Sequence, residues 1–329
     1  MTAFTITRRR LMQSAMIGLV CHRAWAGSRC GERQTPDENQ PLGPFNAAST
    51  AEEVTAGLDL TGKTALVTGC SSGLGLETMR VLALRGAHVI GTARTQEKAN
   101  DACQTVSGKT TPIKLELTEF DSIHECASIV KSFDTPIDIL VCNAGVMAIK
   151  ELRIVNGVEM QFAVNHLGHF MLVNQLTDTV TSAKNGRIVI LSSCAHHGAA
   201  PHGIDFDNLD GSKSYSPWDA YRRSKLANGL HAMELARRLK STSATANAVH
   251  PGTIKTDLWR HLDRPAPDDK MNKSIPQGAA TQCYVGAHPI PAKISGQYFA
   301  DCNPVIANPI MYDKKMAKRL WDISEELCT

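Results

Sequence analysis

The stretch Thr64-Ala65-Leu66-Val67-Thr68-Gly69-Cys70-Ser71-Ser72-Gly73-Leu74-Gly75 is an apolar, strand-like run that breaks into a glycine-rich turn. Glycine is needed where a chain turns sharply and where backbone must approach a ligand closely. The residues that follow place Leu76, Met79, Val81 and Leu82 on an amphipathic helical pattern. Free N–H groups at the start of such a helix favour a pyrophosphate. Three glycines alone are a weak signal. Their placement between a first strand and a helix makes Gly69, Ser71, Ser72, Gly73, Leu74 and Gly75 a candidate dinucleotide site.

Outward from this turn, short β-branched runs alternate with longer helical patterns. The runs are Thr64 to Thr68, Ala87 to Ile90, Thr111 to Leu115, Ile137 to Cys142, Arg187 to Leu191, Thr245 to Val249 and Gly296 to Phe299. Near-continuous apolar strands separated by crossover-length segments predict a parallel sheet covered on both faces. The expected fold is therefore α/β, a doubly wound Rossmann-type sheet of about seven strands with helices on both faces. Residues 48–329 read as one domain, with a lid near 257–276 that contains Trp259, Leu262 and a charged cluster around Asp268.

Composition narrows the class. The net charge of +3, from 35 basic and 32 acidic residues, does not form a nucleic-acid surface. No run of about 18 apolar residues occurs, so no membrane-spanning helix is expected. The ten cysteines lack paired metal-ligand spacing. Cys70, Cys142 and Cys194 follow apolar runs and read as reduced, buried thiols. Adjacent His196 and His197 are expected to point apart and to border the substrate pocket, and no metal is expected. The N-terminus begins with Thr7-Arg8-Arg9-Arg10, continues apolar to Val20 and reaches Ala24-Trp25-Ala26. Residues 1–26 thus read as an export signal of twin-arginine type, delivering the protein to a bacterial periplasm. Cys21, His22 and Arg23 are a poor lead-in to cleavage, and the first acidic residue is Glu32. An organellar transit peptide, or a basic tail on a cytoplasmic protein, fits as well. Residues 27–47 are polar and proline-rich and read as a linker.

Of the five tyrosines, only Tyr221 has a lysine four residues later, Lys225. On a helix both point to one face. A cation near a phenol stabilises phenolate, so Lys225 is expected to lower the Tyr221 pKa toward working pH. Tyr221 then serves as general acid or base. Ser193 lies just beyond the fifth strand, at the sheet edge where ligands collect. Ser192 is its near rival.

The order of these features resembles the short-chain dehydrogenase/reductase family. The glycine spacing resembles its TGxxxGxG turn, Tyr221 to Lys225 its YxxxK pair, and Cys142-Asn143-Ala144-Gly145 its NNAG turn with Cys for the first Asn. The resemblance implies Asn165, Ser193, Tyr221 and Lys225 as catalytic residues, with Asn165 holding a proton-relay water, and favours Ser193 over Ser192. It implies coenzyme contacts from the glycine turn, Glu116, Leu117, Asn143, Ala144, Gly145, Tyr221, Lys225, Pro251, Gly252 and Thr253. The 28-residue span from Ser193 to Tyr221 and the run Ser295 to Cys302 resemble the retinol dehydrogenase and WW-domain oxidoreductase-like branch. That branch implies an apolar aldehyde, ketone or secondary alcohol as small-molecule substrate. Self-association into a homo-oligomer stays open. The second strand ends Ala93-Arg94, with no acid to bind ribose hydroxyls and a guanidinium available to a 2′-phosphate. NADP is therefore expected over NAD. The rival readings are an idle dinucleotide-binding sensor and sugar chemistry on the same fold.

Overall fold

The computed structural model describes residues 35–37, 39–40, 43–262 and 273–329. The export-signal reading of 1–26 and the charged part of the lid around Asp268 lie outside the described residues.

Four apolar strands come first: β1 (Thr64–Val67), β2 (His88–Ala93), β3 (Thr110–Lys114) and β4 (Ile139–Cys142). A small hairpin of β5 (Ile154–Val155) and β6 (Val158–Glu159) follows, then β7 (Arg187–Leu191), β8 (Thr245–His250), β9 (Tyr298–Ala300) and β10 (Asn303–Pro304). The main sheet has the order β10-β9-β8-β7-β4-β1-β2-β3. All its pairings are parallel except β9 with β10. The seven expected strands are present, and β10 makes an eighth that the sequence does not announce. A two-residue hairpin turn usually needs Asn-Gly or similar, because both residues take positive φ. Here Asp301 (φ 52°) and Cys302 (φ 61°) take those conformations instead. Two contacts hold them. The Asp301 carboxylate pairs with Lys273 Nζ at 2.6 Å, and Cys302 N donates to Thr281 Oγ1 at 3.2 Å.

Alternate strand residues face opposite layers. Leu66, Leu140, Ile188 and Ile190 face one core, and Ala65, Val67, Val141 and Val189 the other. The second core is covered by α1 (Gly73–Leu84), α2 (Gln96–Gln104) and the later helix Ile275–Ala287. The first is covered by α3 (Phe120–Ser132), α4 (Gly168–Thr181), α5 (Pro217–Arg238) and the last helix. In chain order those remaining two are α6 (Ile275–Ala287) and α7 (Lys314–Leu327). Local sequence sets the helix starts. Ser216 caps α5 with Pro217 behind it, Ser274 and Gln277 form a capping box on α6, and Asp313 accepts two backbone N–H groups of α7.

Part of the segment expected as a linker lies against the sheet edge. Pro36 bridges Val305, Gly43 N donates to Asn303 Oδ1 at 2.8 Å, and the Phe45 ring sits 5.5 Å from Tyr284. Cys70, Cys103, Cys126, Cys142, Cys283 and Cys302 are buried free thiols. Cys194 is disulfide-bonded, which corrects its reading as a reduced thiol. No helix among the described residues is long and apolar enough to cross a membrane.

Three histidines sit inside the first core. The His166 ring lies 5.7 Å from His231 and donates or accepts at Ser324 Oγ (2.9 Å) of α7. His231 also stacks edge-on to Trp321 at 5.7 Å, and His169 is fully enclosed by α4. Burial depresses all three, His169 to about 4, His231 to about 3 and His166 well below the ordinary value. The sign follows directly. The unfolded chain protonates these rings near pH 6.5, and the folded chain does not, so stability is lost as pH falls from about 6.5 toward 4. Each ring contributes up to about 1.4 kcal/mol per pH unit in that window. Thermal unfolding is expected to show a steep fall in Tm between pH 7 and pH 5, and a flat profile would contradict it.

Candidate active site

The sheet order reverses at β1 and β4, and the crevice beyond their carboxyl ends is where ligands bind in open α/β sheets. A cavity of about 450 Å³ opens there. Its floor is the turn between β1 and α1. Gly69 (φ +72°) and Gly73 (φ +59°) take left-handed conformations that other residues adopt only under strain. Gly75 does not line the cavity. A Cβ there would collide with the Gly69 carbonyl and approach Asn143 Nδ2 to 2.6 Å, so this glycine permits close packing of the turn.

Ser72 is the N-cap of α1 by backbone conformation, yet its hydroxyl caps nothing in the helix. It donates instead to Asp257 Oδ2 at 3.0 Å. The first N–H groups of α1 are thus left without a side-chain acceptor, which is the arrangement that fits a phosphate. Ser71, Ser72, Gly73, Leu74, Arg94, Glu116, Leu117, Asn143, Ala144, Gly145, Pro251, Gly252 and Thr253 all line the same cavity. The Glu116 carboxylate is engaged by Thr118, from its N (3.0 Å) and its hydroxyl (2.8 Å). Gly252 (φ +105°) leaves room for the Lys273 chain, which a Cβ would meet at 2.6 Å.

Thr68, read from the sequence only as the end of the first strand, joins the two loops. Its Oγ1 accepts from Asn143 N and Ala144 N, each at 2.9 Å. With both acceptor positions taken, the hydroxyl proton goes to His169 Nε2 at 2.9 Å. That fixes the tautomer, so His169 Nδ1–H donates to the Asn165 carbonyl at 3.1 Å. The only earlier sign of His169 was its spacing of four residues from Asn165.

Asn165 lies in a π-helical turn, Ala163–Leu167, and is fully buried rather than a surface polar residue. Its Oδ1 accepts from Val146 N (2.8 Å), and its Nδ2 donates to Val146 O (2.9 Å) and Ser224 Oγ (2.9 Å). It does not line the cavity. Its amide ties the loop after β4 to α5.

Tyr221 and Lys225 share one face of α5 and both are buried. Lys225 Nζ donates to Leu191 O at 3.0 Å and stands 5.8 Å from the Tyr221 ring centre. Ser192 Oγ donates to Lys225 O at 2.7 Å, so its hydroxyl is committed to α5. Ser193 Oγ accepts from Ala195 N at 3.1 Å, and its hydroxyl is near enough to Tyr221 to favour the phenolate. The charge balance differs from the expected one. Burial pushes Tyr221 up to about 12, with the Ser193 hydrogen bond acting the other way. Burial also pushes Lys225 down to about 8. Desolvation of both groups outweighs the attraction of cation for phenolate.

His196 and His197 do not border the cavity. Their rings stack 4.1 Å apart instead of diverging, because both fold against Tyr298 from a short 3-10 turn. His196 Nδ1 donates to Ser193 O at 2.5 Å, and Nε2 accepts from Asn308 N at 3.0 Å. The substrate side of the cavity is mostly apolar, with Met147, Ile149, Met160, Val164, Trp218 and Leu258.

Residues 63–206 match the family model described as short chain dehydrogenase. The chain is 41% identical over 300 residues to the short-chain dehydrogenase TIC 32 A, chloroplastic, of Brassica napus, covering 86% of this chain and 94% of that one. It is 36% identical over 287 residues to retinol dehydrogenase 14 of Mus musculus, covering 80% and 85%. Among solved structures, an uncharacterized protein from Mycobacterium Paratuberculosis superposes with a TM-score of 0.68 at 32% identity, over 84% of this chain and 96% of that one.

Thr68→Val keeps the side-chain volume and removes the hydroxyl. It leaves the half-buried Ala144 N–H and His169 Nε2 without their partner and Asn143 N with Val141 O alone, at about 1–3 kcal/mol for each unpaired group. The expected result is a lower Tm together with at least about tenfold weaker dinucleotide binding, since about 1.4 kcal/mol transmitted to the loop suffices. Calorimetry that finds both unchanged would remove Thr68 from this role.

Proposed function

This chain belongs to the short-chain dehydrogenase family, in its retinol dehydrogenase-like branch, and from that premise we propose that it is an NADP-dependent enzyme interconverting an apolar carbonyl compound and its alcohol. As an NAD(P)-binding oxidoreductase it acts on CH–OH donors. The observation that carries the finer reading is that buried Tyr221, packed with Met147 and Ala148, lines one mostly apolar cavity together with Ser193 and Lys225.

A bound nicotinamide dinucleotide supplies or receives the hydride. The chain's residues handle the oxygen and its proton. Ser193 and Tyr221 donate to the carbonyl oxygen from one side, which polarises the carbon and fixes its position. Tyr221, pushed up to about 12, holds its proton through the neutral range and is therefore an acid in the reductive direction. Lys225 is charged below about pH 8, and its charge favours the phenolate that remains after proton transfer. Asn165, whose amide is taken up by Val146 and Ser224, acts as a positioning residue for the loop and for α5. The cavity's apolar lining matches an apolar substrate, because polar groups buried there would lose hydration without compensation.

NADP is favoured over NAD by the end of β2. Ala93 is buried, Arg94 lines the cavity, and neither position carries a carboxylate to repel a 2′-phosphate. At the N-terminus, the chloroplastic relative favours an organellar transit peptide over periplasmic export.

Tyr221→Phe should lower turnover of aldehydes and ketones by roughly 100- to 10,000-fold, with dinucleotide affinity retained. In the wild type, reductive kcat/KM should stay level up to about pH 8 and fall above it as Lys225 loses its charge, while the oxidative rate rises with pH as the phenol ionises. Turnover near wild type in the variant would exclude Tyr221 as acid and base. NADPH should exceed NADH by at least about tenfold in kcat/KM, the contribution of one charge-assisted contact. Ala93→Asp combined with Arg94→Ala should reverse that order. Equal use of both coenzymes by the wild type would refute the role of Arg94.

A further inference from the structure

The short turn Asp257–His261 touches both halves of the cleft. On one side Leu258, Trp259 and Leu262 pack with Met147, Ala148 and the catalytic candidate Tyr221. On the other, the turn is docked on the glycine loop. Asp257 accepts from Ser72, and Thr256 lies where a Cβ on Gly73 would touch it at 3.4 Å. The turn therefore reaches the phosphate end of the cavity, and Arg260 lines that cavity together with Arg94, Arg153 and His261.

Arg260 is exposed, and its Nη1 donates to the Asp257 carbonyl at 2.9 Å. Burial and the charge on Arg94 both push Arg260 down, while Asp257 acts the other way. His261 is pushed down by burial and then by Arg260, Arg153 and Arg94. Among the described residues two acids line this cavity; Glu116 is engaged by Thr118, and Asp257 is shared with Ser72. Cations gathered with so little compensation repel one another, and a doubly charged anion among them relieves that repulsion.

We propose that Arg260 is a second residue that selects NADP, its guanidinium joining that of Arg94 on the 2′-phosphate, so that the turn walling the substrate pocket is also held by the coenzyme. The proposal rests on the NADP reading above and extends it. A phosphate monoester presents three terminal oxygens, enough for two planar guanidinium groups. Sequence pattern alone assigns nothing to Arg260, because it lies 166 positions after Arg94 and no periodicity connects them.

The test uses two ligands without a nicotinamide, 2′,5′-ADP and 5′-AMP, titrated calorimetrically into the full-length protein and into Arg260→Ala, Arg260→Lys and Arg94→Ala. Wild type is expected to bind 2′,5′-ADP at least about tenfold more tightly than 5′-AMP. Arg260→Ala should lose roughly tenfold in 2′,5′-ADP affinity with 5′-AMP affinity unchanged, which also shows that the variant is folded. Arg260→Lys should recover only part of the loss, since an ammonium lacks the paired donors. If Arg260→Ala keeps the full preference while Arg94→Ala loses it, the proposal falls and the NADP reading stands. If Arg260→Ala weakens both ligands equally, its role is structural and the proposal falls. If wild type shows no preference, both readings fall together.

Discussion

One hydroxyl holds the site together. Thr68 Oγ1, at the carboxyl end of β1, accepts from the backbone of Asn143 and Ala144 and donates to His169. It ties the glycine turn to the loop after β4 alongside the Asn143 Nδ2 hydrogen bond to Thr68 O at 2.8 Å. With it, both loops are fixed to the π-helical turn through the His169–Asn165 hydrogen bond. Asn165 then carries the constraint onward, to Val146 in the loop and to Ser224 on the helix of Tyr221 and Lys225. Thr68, Asn165, His169 and Ser224 in this chain are buried, the loop residues are half-buried, and each has its partner. That makes the chain rigid, because breaking any link leaves an unsatisfied polar group in an apolar core.

Burial sets the chemistry as well as the geometry. Tyr221 and Lys225 are both desolvated, and each is driven toward its neutral form. A phenol kept protonated beside a lysine of pKa about 8 is an acid that holds its proton through the neutral range, next to a cation that is lost at mildly alkaline pH. The same apolar surroundings that shift these groups wall one side of the cavity. Leu258 and Trp259 belong to that wall and to the turn that docks on Ser72, so coenzyme loop and substrate pocket share one short element.

Some of this was legible in the chain itself. Alternating apolar strands and amphipathic helices gave the parallel sheet, because residues buried on both faces leave no polar alternation. The glycine turn, Tyr221 and Lys225 stood out by spacing, since a helix repeat is a local property, whereas the strand end offered Ser192 and Ser193 alike and the family resemblance favoured Ser193. The eighth strand did not, because its turn uses Asp301 and Cys302 where Asn-Gly would have signalled it. The stabilising partner of that turn, Lys273, is distant in sequence. Likewise the segment from Thr35 to Phe45 has the composition of a linker, and its hydrogen bonds to β10 and its neighbours depend on an edge assembled from the far end of the chain.

The sequence by itself determined the alternation of the first seven strands with helices, the glycine turn after the first of them, and the pairing of Tyr221 with Lys225 on one helix face, all of which follow from local propensity and fixed spacing. Only the tertiary structure decided what surrounds them. It buried Asn165 and spent its amide on Val146 and Ser224, committed Ser192 to α5 so that Ser193 faces Tyr221, and turned His196 away from the pocket onto Ser193 O. It also reversed the expected balance at Tyr221, because desolvation depends on how completely other segments cover a group, and no spacing along the chain encodes that.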